Sequence, residues 1–489
     1  MAALAAAASV AAAPVAAHFD ATAFATVGVD MDHTFACYNL HETNLVIARG
    51  LIRHLRATHA YPDTVFADLE RDEAAYDYCF AAKGCVFDVV RGNFLYVTAT
   101  GAVCCARHGS AQWLSDADVD AVYGHRRRFE WFEPLRSFSR DLHAFLPFNS
   151  PFGLPGAQVL ARMVDYTDML FARERDQEQD QQQQQQDQKE QQQQHQPQQP
   201  KQQQQQEQTR RPATYQTLAH QLFGAFGELY EPEHLALGRG GFFPELAREP
   251  QRYILRTSDA VLGLLRECRA RGQRVLLLSN SRSDFVDLVM RAAVGPAWLE
   301  LFDLVVTASN KPHFFADGPL KGGNFHHSGQ SSHTFGAAAC TAADGTKVPV
   351  LAGGNWRLLR EQHAVGADGP VLYFGDDLHG DVAALHMTRP EPHGAPLWHG
   401  VAVVEELADA EHARALHVFH CPRGHNVETH WFDAIEHNAR LCVPSLHAFA
   451  AAQRDGVLSG CLRHGEQGPA LWFPLAPREL LASSMGEPR

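Results

Sequence analysis

The sequence has no CxxC pair, no HExxH and no Cys/His spacing of the kind that holds zinc. Its ten cysteines are scattered, with Cys104 and Cys105 adjacent. In a chain of 489 residues this argues against a disulfide frame and for reduced thiols in a reducing, cytoplasmic compartment. No long basic run occurs and the formal net charge is −14, which makes nucleic acid a poor partner. An acidic chain can still bind an anionic substrate where a metal or a local lysine inverts the charge. No stretch is long and apolar enough to span a bilayer. The N-terminal MAALAAAASVAAAPVAAHFD lacks the basic n-region of a signal peptide, contains Pro14 and is almost free of the arginine and serine of a transit peptide. Residues 1–19 are therefore read as a disordered leader. The 28 histidines follow no ligand spacing and read mostly as surface or ordinary core residues.

What is present is enough apolar material, 45% of the composition, for a sizeable core in two or three domains. One segment interrupts it: 22 of the 32 residues at 177–208 are glutamine. Such a tract has little to bury, and residues 174–212 read as a disordered insertion. A self-association segment is the sharper alternative, since glutamine-rich tracts can aggregate. Residues 316–355 read as a Gly/His/Ser/Ala loop. Four short apolar runs read as buried strands: FATVGVD (24–30), RVLLLSN (274–280), LFDLVVTAS (301–309) and PVLYFGD (370–376). Helical patterns lie between them at 257–272 and 283–295, and a further one follows a Gly/Pro turn at 157–171. Strand and helix in alternation predict an α/β fold with a parallel sheet.

Each strand ends in residues able to do chemistry. The first leads to Asp30 and Asp32, the second to Ser279 and Asn280, the third to Lys311. The fourth leads to Asp376, Asp377 and Asp381 in GDDLHGD. Ligands of open α/β sheets bind outside the carboxyl ends of the strands, so these residues are expected to converge. Asp30 and Asp376 would form a hard-oxygen pocket suited to Mg2+. Ser279, Asn280 and Lys311 would hold phosphoryl oxygens. Asp30 can then attack phosphorus, while Asp32 protonates the leaving alkoxide and later deprotonates water. Thr34 is expected to hydrogen-bond within the loop and fix its shape.

DMDHT resembles the DxDxT first motif of the haloacid dehalogenase-type phosphatases; Ser279, Lys311 and GDDLHGD resemble their later motifs in the same order. The second aspartate is a phosphatase feature that dehalogenases and P-type ATPases of that superfamily lack. DMDHTFACYNL, LLLSNS, NKPHFF and YFGDDLHGD are similar to the cytosolic purine 5′-nucleotidase branch, and LPGAQVLARMVDY (154–166) and GFFPELAREPQRYI (241–254) fit it too. The resemblance implies a Rossmann-like core and Mg2+-dependent hydrolysis of a nucleoside 5′-monophosphate through an aspartyl-phosphate. It also implies metal ligation by Asp30, Asp376 and the backbone carbonyl of Asp32. Asp381 would orient Lys311 or a metal-bound water. Two rivals stand beside this reading: a phosphatase for another small phosphate ester, and a low-activity scaffold of the same fold. Neither nucleic acid nor membrane is an expected partner, and a homo-oligomer is compatible with the sequence.

Asp30 and Ser279 lie 249 positions apart, but Ser279 and Lys311 only 32. The excess must form something beyond one crossover, and the resemblance implies that it is a cap domain inserted after the first motif, covering the site and choosing the substrate. The expected division is core at 20–60 and 256–425, cap at 61–255, and a C-terminal helical extension and tail at 426–489. Within the cap, Phe94, Tyr96, Arg107, His108, Phe148 and Asn149 could meet a base or sugar, or simply be core and surface. His33 could face the cap or fill its loop. Cys37 could be oxidation-sensitive, with a packed thiol the plainer reading. Residues 431–450 read as one amphipathic helix.

Overall fold

The computed structural model describes residues 15–71, 76–139, 141–192, 204–316, 326–327, 347–390, 394–408, 421, 427–463 and 470–471. The four apolar runs form strands β2 (Thr26–Val29), β7 (Arg274–Leu278), β8 (Leu304–Thr307) and β11 (Val371–Gly375). β2, β7 and β11 are parallel neighbours, with Gly28 facing Leu276 on one side and Tyr373 on the other. With β10 (Val350–Ala352), β12 (Trp398–Val403) and β13 (Leu441–Val443) they make seven parallel strands in the order β13-β12-β11-β2-β7-β8-β10. This is the α/β fold of Rossmann type, with nearly every strand residue buried because both faces are covered.

The crossovers follow the local signals. The helix Asp259–Ala270 starts at Ser258, whose side chain accepts from the Val261 N–H. It buries Val261, Leu264, Leu265 and Cys268, one stripe at helical spacing, and the chain turns out at Gly272 with φ +83°. Helix Ser283–Ala293 follows β7 and buries Phe285, Val286, Val289 and Met290. Leu276, Leu304, Val306, Phe315, Trp356, Tyr373 and Trp398 fill one side of the sheet.

Several expectations need revision. The leader was expected to run to residue 19, but Val15–Asp20 is strand β1, paired antiparallel with β14 (Val457–Arg463); residues 1–14 lie outside the described residues. The helix expected at 431–450 is instead helix His430–Asn438, strand β13 and helix Leu446–Ala452. Pro444 has no N–H to continue a helix, and Ser445 caps the second one by accepting from the Ala448 N–H. The C-terminal region thus adds strands as well as helices, β14 and β15 (Ala470–Leu471) included. The glutamine tract is helical wherever it is described. One helix runs Pro155–Gln192 and another Gln204–Leu229. Glutamine is a good helix former, so a helix nucleated by the apolar 157–171 segment propagates into it. Residues 193–203 lie outside the described residues. In the loop expected at 316–355, β9 (His326–His327) and β10 are strands.

The chain divides into two compact units. One comprises residues 1–37, 256–410 and 434–489 and carries the large sheet. The other comprises 38–255 and 411–433, so it begins before the expected boundary at 61 and takes in a late segment. This second unit holds an antiparallel sheet in the order β5-β4-β3-β6, formed by Cys85–Asp88 (β3), Asn93–Val97 (β4), Val103–His108 (β5) and Phe145–Phe148 (β6). Val86, Leu95, Val97, Val103, Ala106 and Phe145 pack on one of its faces with Val119, Phe129 and Leu135.

Candidate active site

The first unit gathers its polar strand ends at one edge. Asp30 leaves β2 with its N–H on Phe374 O at 2.8 Å, which ties it to β11. The chain then closes tightly, Phe35 N–H donating to Asp30 O and Ala36 N–H to Met31 O. The Lys311 ammonium lies 2.8 Å from Asp30 Oδ1 and 2.6 Å from Asp381 Oδ1. Asp30, Asp376 and Asp381 each offer an oxygen within 4.8 Å of the others. Residues 30, 311, 376 and 381, distant in sequence, therefore share one small volume.

Two glycines permit this. A Cβ on Gly28 would lie 2.8 Å from Tyr373 Cδ2, so only glycine leaves the tyrosine its place on the neighbouring strand. A Cβ on Gly375 would collide with Asp381, which folds back against the end of β11. Asp381 is held there by its own N–H on Asp377 O at 2.7 Å and by the Asp377 N–H on its Oδ2 at 3.2 Å.

Burial dominates the electrostatics. It pushes Asp30 up to about 7; Lys311 opposes the rise, and Asp376 and Asp32 add to it. Burial likewise pushes Asp381 up to about 7, against Lys311 and with Asp30 and Asp377. Burial pulls Lys311 down, but Asp30 and Asp381 overcome it and hold the ammonium well above its ordinary range. One cation among so many carboxylates leaves an excess of hard, anionic oxygen donors, which is the donor set of a divalent cation such as Mg2+.

The other expected residues are placed as follows. Asp32 is half-buried; its Oδ2 accepts from Ser281 Oγ at 2.8 Å, and it is not one of the three clustered carboxylates. Ser279 is buried, its Oγ accepting from the Ser281 N–H at 3.1 Å. The Asn280 carboxamide clamps the lysine loop: Oδ1 accepts from Lys311 N–H at 2.6 Å and Ser309 Oγ at 2.9 Å, and Nδ2 donates to Lys311 O at 3.1 Å. That clamp holds a stretch with Ala308 and Asn310 at positive φ. Thr34 corrects an expectation: its Oγ1 is buried without a hydrogen-bond partner among the described residues, so the loop is shaped by backbone bonds. His33 fills its loop. It is buried at φ +54° and its Nδ1 meets Glu405 Oε2 at 2.7 Å. Cys37 is pushed up to about 12 by burial, with Glu405 adding to the rise, so it is a protonated thiol.

The candidate base-reading residues belong to the second unit. Phe94, Tyr96 and Phe148 are core there, with Tyr96 Oη accepting from the Ala82 N–H at 2.8 Å. Arg107 is stacked between Phe80 and Trp113, at 3.5 and 4.6 Å from the ring centres. His108 Nε2 lies 2.5 Å from Asp168 Oδ2. Asn149 Oδ1 is buried with no hydrogen-bond partner among the described residues.

Sequence reasoning missed Tyr373, Ser281, Ser309 and Glu405. Tyr373 Oη lies 2.9 Å from Lys311 Nζ and donates to Leu278 O at 2.8 Å. Only strand register, which sets it against Gly28, could have signalled it.

A model of the 5′ nucleotidase family matches residues 16–173 and 238–421. The chain belongs to the 5′ nucleotidase family. It is a hydrolase acting on phosphate monoesters. Human 5′-nucleotidase domain-containing protein 1 is 26% identical over 402 residues, covering 81% of this chain and 75% of its own. Rat 5′-nucleotidase domain-containing protein 2 is 32% identical over 394 residues, covering 78% of this chain and 56% of its own. The two blocks of the family match take in Asp30, Asp32, Ser279, Lys311, Asp376 and Asp381, and leave out the whole glutamine tract.

Proposed function

We propose that the chain hydrolyses nucleoside 5′-monophosphates to nucleoside and phosphate, in the cytoplasm, through an aspartyl-phosphate at Asp30. The observation that carries this reading is the contact of buried Lys311 with Asp30 and Asp381 beside Asp376. The family match supports the substrate class, and the free thiols of the described cysteines support the compartment. In this reading the core is of haloacid dehalogenase type and the second unit, residues 38–255 with 411–433, serves as the substrate-selecting cap.

Lys311 fixes the Asp30 carboxylate by one oxygen and presents it to phosphorus. As the Asp30–phosphorus bond forms, the bond to the 5′ oxygen breaks and Asp32 gives that oxygen a proton. Asp32 then takes a proton from water, which attacks the phosphoryl group and frees Asp30. Ser279 receives a phosphoryl oxygen, Lys311 offsets the phosphoryl charge from its place on Asp30, Asp381 and Tyr373, and Asn280 serves by holding the Lys311 loop. The carboxylates of Asp30, Asp376 and Asp381, with the Asp32 carbonyl, are the residues to hold Mg2+. When bound, the ion supplies charge compensation that lets a phosphate dianion approach four aspartates.

The test is phosphate release with Mg2+ from a panel of nucleoside monophosphates and sugar phosphates, beside Asp30→Asn. Release from nucleotides that the substitution abolishes supports the reading. Preference for sugar phosphates overturns the substrate, and release unaffected by Asp30→Asn overturns the mechanism.

A further inference from the structure

At the opposite edge of the large sheet, where the parallel strands begin, lies a cavity of about 370 Å³. It is lined by Thr26, Arg271, Gln273, Arg274, Asp368 and Gly369 among others, all in the first unit. Its volume falls in the range of small-molecule sites, which is ~300–1,000 Å³.

Its chemistry is unbalanced in a specific way. Gln273 is 8% exposed, and its Nε2 donates to Ala21 O at 2.9 Å and Phe24 O at 2.7 Å. Two carbonyls fix the orientation of the carboxamide, since a flip would set oxygen against oxygen. The Oε1 that results is buried with no hydrogen-bond partner among the described residues. A buried acceptor without a donor costs about 1–3 kcal/mol, so it asks for one. Beside it, Arg274 spends one nitrogen on His363 O. Among the described residues Arg271 pairs with Glu267, at 3.2 Å, whose side chain is 58% exposed; such a pair is weak. Two guanidinium groups thus have donors to give, and one buried carboxamide lacks a donor.

We propose that this cavity binds a small molecule bearing an oxyanion, phosphate or carboxylate, and an amino or hydroxyl donor. The guanidinium groups of Arg271 and Arg274 take the oxyanion. Gln273 Oε1 accepts from the donor. The site is separate from the carboxylate cluster: β2 carries Thr26 at this edge and reaches Asp30 only after its far end.

The probe is 2-aminoethylphosphonate, whose P–C bond a phosphomonoesterase does not cleave. Methylphosphonate lacks the donor, and β-alanine replaces the phosphonate with a carboxylate. Hydrogen exchange of the full chain, read with and without probe, locates binding without a variant. The expected result is slowed exchange at the amides of residues 25–26, 273–275, 369 and 371. Arg274→Gln should weaken that protection about 10- to 100-fold, the loss of one charge-assisted bond. Phosphate release should be unchanged in that variant. Protection by β-alanine but not by the phosphonate assigns the carboxylate form of the site, and the reverse assigns the phosphate form. The proposal is overturned if no probe protects these amides. It is equally overturned if methylphosphonate matches 2-aminoethylphosphonate, or if Arg274→Gln leaves protection unchanged.

Discussion

Replacing Tyr373 with phenylalanine removes one oxygen and leaves the ring in place, so its effect can be worked from hydrogen bonds alone. The Lys311 ammonium has three protons and lies near Asp30 Oδ1 at 2.8 Å, Asp381 Oδ1 at 2.6 Å, Tyr373 Oη at 2.9 Å and Leu278 O at 3.2 Å. With the tyrosine present the count closes: three protons go to the two carboxylates and the phenol, and the phenol gives its own to Leu278 O at 2.8 Å. In the variant, Leu278 O inherits the third ammonium proton at the longer distance. No buried group is orphaned, and the net loss is a single hydrogen bond to a charged group, about 1.5 kcal/mol at the low end of the range. If that loss falls on the placement of Lys311 in the transition state, kcat drops about tenfold with KM nearly unchanged. Burial holds the phenol well above its ordinary range, so the defect should be the same at every assay pH where the phenol is neutral. The assay is phosphate release at saturating substrate across pH, with Lys311→Met beside it as the variant that removes the cation. A Tyr373→Phe enzyme within twofold of the parent refutes the accounting, as does one as inactive as Lys311→Met.

Further outcomes follow from the same geometry. Gly28→Ala sets a methyl 2.8 Å from Tyr373 Cδ2 and should cost about 1–3 kcal/mol in urea unfolding, much of it recovered by a smaller residue at 373; no recovery in the double variant would put the strain elsewhere. Glu405→Ala removes the carboxylate that meets His33 Nδ1, next to Asp32, and should lower kcat about tenfold while KM holds, with Glu405→Gln restoring most of it by hydrogen bonding. Equal losses in the two variants refute a positioning role. Chelation should abolish phosphate release, Mg2+ should restore it, and Asp376→Asn should raise the Mg2+ concentration needed for half-activity. His430 is buried, and burial lowers it to about 4, so the folded chain resists a proton that the unfolded chain accepts near pH 6.5. Stability is therefore intact above about pH 6.5 and falls as pH drops toward 4, by up to roughly 3 kcal/mol. His430→Gln should flatten urea midpoints measured between pH 7 and 5, and an unchanged slope would remove His430 as the cause.

Much of the site was legible because the chemistry sits where strands end. Asp30, Ser279, Lys311 and Asp376 each follow an apolar run short enough to be a strand, and a parallel sheet puts such ends on one edge. What was not legible depends on register and on long-range pairing. Tyr373 reads as one more apolar strand residue until it is set across from Gly28. Glu405 is 372 positions from His33, and nothing local marks either as the other's partner. The strand at Val15–Asp20 was hidden in an alanine-rich segment because its partner, Val457–Arg463, lies at the other end of the chain. The helical stretch of the glutamine tract was misjudged for a different reason: composition reports what a segment can bury, but a helix already nucleated needs only propensity to continue.

The same distinction explains why the cluster tolerates its own charge. Aspartates packed together in a buried place repel, and each resists ionisation, as Asp30 and Asp381 do. Lys311 relieves two of them, yet it can be there only because Asn280 grips both the N–H and the carbonyl of its backbone while Tyr373 receives its third proton. The lysine backbone is thus held by a neutral carboxamide, while its ammonium is shared by two carboxylates and a phenol. The contacts that set the lysine among the carboxylates are part of the fold, so the electrostatic cost of assembling the cluster is met during folding.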